Sequence, residues 1–78
     1  MTTNDRILVD HEIMLGKPVI RGTRVTVELI LRKLAEGATE ADLIDAYPHL
    51  TPPDIKAALA YAADAVGRQH AAPLKNRA

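Results

Sequence analysis

The hydrophobic spacing of this 78-residue chain changes at Thr26, and that change constrains the fold more than any other feature. Ahead of it, apolar residues come in short runs: Arg6-Ile7-Leu8-Val9 closed by Asp10, Val19-Ile20 after Gly16-Lys17-Pro18, then Arg24-Val25. Small aliphatic and β-branched runs bounded by Gly, Pro and Asp read as short strands. Gly22, between Arg21 and Thr23, marks a tight turn that needs positive φ. Beyond Thr26, Val27, Ile30, Leu31 and Leu34 fall at i, i+3, i+4 and i+7, one buried face of a helix.

Capping residues divide the helical part. Thr26 caps the first helix, with Val25 and Ile30 at staple positions, Glu28 near the positive end and Gly37 as the residue after the last turn. Thr39 caps a short second helix that turns Leu43, Ile44 and Tyr47 inward and stops at Pro48. In Thr51-Pro52-Pro53-Asp54, Thr stands at N-cap, Pro at N1 and Asp at N3, with Leu50 and Ile55 at the staple positions. The spacing then predicts a third helix to about Val66, with Ile55, Leu59, Ala62 and Val66 on its buried face, flanked by Ala58, and Gly67 as terminator. Pro48-His49-Leu50 is the right length for a helix-turn-helix connection. The expected fold is α+β and mainly α: a short N-terminal β-hairpin followed by a three-helix helix-turn-helix bundle, homeodomain-like or winged-helix-like. Residues 6–66 form the domain, and 67–78, polar and containing Pro73, read as a flexible basic tail.

The core available to this fold is thin. The chain has no Cys, Phe or Trp and two Tyr, so Leu, Ile, Val and Ala must fill it. A domain of this size buries only roughly 60% of the surface its unfolded chain exposes, so burial between subunits is expected and a homodimer with it. No apolar run approaches the ~18 residues of a membrane span. MTTNDRILVD carries two acids and no long apolar stretch, so no signal peptide is visible and a cytoplasmic location is the expectation. Net charge is zero but sorted: six bases against four acids over 1–35, one against six over 36–66, three against none over 67–78. Any nucleic-acid contact must therefore come from a local patch.

Arg21 and Arg24 flank Gly22-Thr23 and are candidates to grip a phosphate or carboxylate of DNA or a partner; the alternative is pairing with Asp10, Glu12 or Glu28 inside the domain. Thr23 reads as a turn hydroxyl. Arg32 and Lys33, off the buried stripe, are expected to be exposed and join the candidate DNA- or partner-binding set. Opposite the expected buried face of the third helix lie Lys56, Ala57, Ala60, Tyr61 and Asp64, with no Arg, Asn or Gln to read bases. Asp54 in its first turn would repel a phosphate. Ala57, Ala60 and Tyr61 are therefore expected at a dimer interface, with plain exposure and DNA contact as the other readings.

His11, His49 and His70 lack ligand spacing, so no metal is expected. There is no Cys or Ser nucleophile, and Asp42 and Asp45 with Glu40 read as a solvated face. The two Gly of residues 16–24 lack the spacing of a phosphate-binding loop. No enzyme, cofactor or small-molecule substrate is expected.

Taken together, GKPVIRGTRV at 16–25, Ala35-Glu36-Gly37, Tyr47-Pro48-His49-Leu50-Thr51 and Ala57-Ala58-Leu59-Ala60-Tyr61-Ala62 resemble a prokaryotic family known as domain of unknown function 433. It includes antitoxin-like proteins of the VapB type, and the resemblance covers roughly residues 6–66. It implies a small helix-turn-helix fold, dimerisation, and pairing with a PIN-like ribonuclease toxin encoded nearby. Such a nuclease holds metal between clustered acids. The tail, with Arg68, Leu74, Lys75 and Arg77, is then a candidate toxin-binding segment; it equally reads as a solvated terminus or a weak nucleic-acid contact. The expected function is an antitoxin of a type II pair that neutralises its toxin by direct binding and autoregulates its operon through operator DNA. The alternatives are a stand-alone helix-turn-helix regulator and a structural dimerisation module.

Overall fold

Each α-helix begins where a threonine caps it. The computed structural model describes residues 5–69, with strands β1 (Ile7–Leu8) and β2 (Val19–Ile20) followed by helices α1 (Val27–Ala35), α2 (Glu40–Ala46) and α3 (Pro52–Gly67). Thr26 Oγ1 accepts the Leu29 N–H at 2.9 Å. Thr39 and Thr51 form reciprocal boxes: their hydroxyls accept from Asp42 and Asp54 N–H, and those aspartates accept the threonine N–H groups at 2.9 and 3.0 Å. Asp42 has a structural role besides its expected place on a solvated face. It is exposed, yet its carboxylate ties down the start of α2, and the bond from the Thr39 backbone, then that with its hydroxyl, holds its carboxyl below the usual range. α1 ends on Gly37 at φ +103°, where Gly37 N–H reaches Leu34 O and Ala38 N–H reaches Lys33 O.

The strands pair antiparallel, Ile7 opposite Ile20 and Leu8 opposite Val19, so the architecture is a two-stranded hairpin followed by three helices, as expected. They are shorter than the apolar runs suggest: Val9 lies outside and is exposed. The run at Val25 returns only as a bond from Ile20 N–H to Val25 O and a bridge between Val19 and Thr26. Between the strands, Met14, Leu15 and Gly16 have φ of +50°, +59° and +84° in succession. Leu15, 93% exposed, holds this left-handed conformation without burying its side chain.

Ile7, Ile20, Val27, Ile30, Leu43, Leu50, Ile55 and Ala58 form one buried cluster, so the hairpin and all three helices share a core. Burying each of its larger aliphatic side chains stabilises by about 1.5–3 kcal/mol. α3 faces this core differently from the expected stripe. Ile55 and Ala58 are buried, but Leu59 is 44% and Val66 66% exposed, whereas Ala57 and Tyr61 pack against the core. Their assignment to the outer face is corrected; Ala60 is exposed. α3 also includes Gly67, one residue past the expected stop, with Arg68 as C-cap.

Asp54 is the second correction. It is 6% exposed and accepts from Arg6 Nη1 at 2.9 Å as well as closing the Thr51 box, so it presents no charge to a phosphate. One carboxylate thus starts α3 and fastens the chain entering β1 to it. Among the described residues, no helix is long and apolar enough to cross a membrane.

Candidate functional site

The turn between β2 and α1 is fixed by its own hydrogen bonds. Gly22 takes φ +84°, Thr23 N–H and Oγ1 both donate to Ile20 O, at 3.0 and 2.8 Å, and Val25 N–H donates to Thr23 Oγ1 at 3.0 Å. Thr23 is the turn hydroxyl expected. Val27 N–H reaches Pro18 O at 2.9 Å and locks the exit from the turn.

The two arginines on this turn diverge. Neither bonds to Asp10, Glu12 or Glu28. Arg21 donates from Nε to the Asp5 carbonyl at 2.7 Å, tying the turn to the chain ahead of β1. Arg24 is exposed and makes no hydrogen bond or ion pair with any described residue. The other two candidate cations are engaged. Arg32 is exposed and pairs with Glu28 at 3.1 Å, and Lys33, half-buried, lies 3.8 Å from Glu36. Of the four, Arg32 and Lys33 are paired with acids, Arg21 gives a hydrogen bond to a neutral carbonyl, and Arg24 alone has no hydrogen bond or ion pair among the described residues.

Arg24 stands on the wall of an open cleft of about 710 Å³. Leu8 and Ile13 line one side with Val25 of the turn, Leu29 of α1 contributes next, and Ala46, Tyr47, Pro48 and His49 from the end of α2 complete it. Its ionisable side chains besides Tyr47 are Arg24 and His49, with no acid among them. Sequence periodicity did not reveal this cleft, because its lining comes from separate stretches of chain. The available signal was negative: Leu8 and Leu29 are aliphatic residues left outside the strongest buried stripe.

A smaller cleft of about 260 Å³ lies between α1 and the far end of α3, lined by Pro18, Val27, Leu31, Tyr61, Ala62, Ala65 and Val66 with Glu28. Lys17 at 3.0 Å and Arg32 at 3.1 Å both contact Glu28, and their hydrogen bonds, Lys17 first, hold its carboxyl below the ordinary range. Among the described residues, no group of three His, Cys, Asp or Glu could hold a metal ion. Of the tail residues, Arg68 is exposed at the end of α3, and Leu74, Lys75 and Arg77 lie outside the described residues.

Comparison with known proteins agrees with this architecture. The family model described as protein of unknown function (DUF433) matches residues 7–62. An uncharacterized protein of Archaeoglobus fulgidus is 50% identical over 28 residues, a stretch that makes up 36% of this chain and 78% of that protein. The crystal structure of a DUF433 member protein from Anabaena variabilis superimposes with a TM-score of 0.76 at 28% identity, covering 81% of this chain and 62% of that one. The chain therefore spans less than two thirds of that relative's length.

Proposed function

The chain belongs to the DUF433 family of proteins of unknown function, and from that premise we propose that it is the antitoxin of a toxin–antitoxin pair, acting by direct binding to a PIN-like ribonuclease encoded beside it. The observation that carries this reading is the cleft beside Arg24: an apolar trough whose one arginine has no counter-charge among the described residues. Apolar surface with an unmatched cation at its edge suits a folded protein partner, which supplies both burial and a carboxylate.

A stand-alone DNA-binding role has less support. Phosphate binding needs several neighbouring cations, and Arg6, Lys17, Arg32 and Lys33 are committed to acids within the chain. α3 carries no Arg, Asn or Gln, which weakens the case for direct base reading from it, and operon autoregulation is assigned to the complex with the toxin. Dimerisation keeps its support from the thin aliphatic core, with Ala60 as the exposed member of the three α3 residues considered.

Co-expression of the full chain with the proposed ribonuclease partner, followed by pull-down, tests the proposal. A stable complex that suppresses ribonuclease activity is expected. No complex, together with salt-sensitive, sequence-selective binding of upstream DNA by the isolated protein, overturns it in favour of the regulator.

A further inference from the structure

The geometry points to the occupant of the larger cleft: we propose that it takes a short aliphatic segment of the partner protein carrying an internal aspartate or glutamate, whose carboxylate pairs with Arg24. This deepens the docking reading above and rests on it.

Three observations converge. First, the lining is mostly apolar, with Leu8, Ile13, Val25 and Leu29 contributed by separate parts of the chain. An acid within an aliphatic segment meets Arg24 while its neighbours on either side cover this lining, which a chain-end carboxylate does less fully. Second, the sign of the charge is fixed. Arg24 has no partner among the described residues, and no described acid lines the cleft, so a neutral occupant that covered the exposed Arg24 would bury a guanidinium without compensation and a basic one would add repulsion. A carboxylate meets the planar fork directly. Third, the backbone that carries Arg24 is already held by Thr23 and Gly22, so binding has only the side chain left to order. The volume of about 710 Å³ lies within the range of small-molecule sites, but the cleft is open to solvent. Small-molecule sites usually enclose most of their ligand, whereas a chain segment covers an open trough with its own backbone.

The test is an NMR titration of the ¹⁵N-labelled full chain with three blocked hexapeptides of Leu, Ala and Ser that differ in one central residue, Glu, Gln or Lys. The Glu peptide is expected to shift the Val25, Leu29 and Tyr47 amides and to bind about fivefold more tightly than the Gln peptide, with the Lys peptide weakest. Arg24→Gln should bring the Glu peptide down to the level of the Gln peptide. Equal binding of Glu and Gln peptides, no shifts at those amides, or shifts at Ala62 and Val66 instead would overturn the proposal. So would octanoate reproducing the peptide's shifts at equal concentration. The two readings fail separately: a toxin complex formed by a chain indifferent to the Glu peptide removes this inference alone, and Glu-peptide binding without any toxin complex removes the antitoxin alone.

Discussion

The cleft walled by Val25, Leu29 and Tyr47 and the cleft walled by Pro18, Leu31 and Val66 both use α1, and both are mostly apolar. They differ in what has become of their charge. At the smaller, Glu28 is shared by Lys17 and Arg32, one reaching from the loop before β2 and the other from the next turn of the same helix. At the larger, Arg24 sits on a turn rigidified by Thr23 and meets no described acid. An ion pair made within the chain withdraws a charge from intermolecular use. A cation on a fixed backbone beside apolar surface remains free to add both affinity and direction. Position relative to α1 matters less than whether the local charge already has a partner.

The largest expected effect concerns the wall of the larger cleft. Asp54→Ala removes half of the Thr51 box and the buried partner of Arg6, so it loosens β1 and Leu8 with it. Loss of a cap and of a nearly buried carboxylate should lower stability by about 2 kcal/mol in urea denaturation. A loss below about 0.5 kcal/mol would break the link between α3's start and that wall.

A smaller gain is expected from Leu15, in the loop between the two strands. Leu15→Asn keeps a residue that tolerates positive φ and gives up almost no buried surface, so stability should rise by about 0.5–1 kcal/mol. A fall in stability would mean that Leu15 is buried in an assembly of copies.

Glu28→Gln should have the smallest effect, and its pH dependence sharpens the comparison. The folded carboxyl is held below its ordinary pKa by Lys17 and Arg32, so the stabilisation is complete above the unfolded value and disappears as pH falls through the lowered folded one. The melting temperatures of variant and native chain should differ slightly at neutral pH and converge in acid. A gap that survives acidification, or grows with added salt, would contradict the ion-pair origin.

Much of the fold was legible because its signals are local. Thr26, Thr39 and Thr51 each start the helix they were expected to start, and Gly22 and Gly37 take the positive φ their positions require. The facing of α3 was not legible: apolar residues stand on nearly every side of it, so Leu59 and Val66 competed with Tyr61 for the core on equal terms. The Arg6–Asp54 contact joins residues 48 apart and leaves no periodic trace. For the site, sequence brought Arg24 forward but left open whether it faced inward or outward. The answer depends on Asp10, Glu12 and Glu28 lying elsewhere or being occupied, which is a property of the folded chain.

The central claim is that the Arg24 cleft, and not its neighbour across α1, receives the partner. Its most direct test is the Kd of the full chain for the proposed ribonuclease partner, measured by titration calorimetry with Arg24→Glu and Val66→Glu variants, each substitution placed on an exposed side chain. Arg24→Glu should weaken binding at least about tenfold while Val66→Glu changes it by less than about twofold. Equal losses, or a larger loss from Val66→Glu, would contradict the claim.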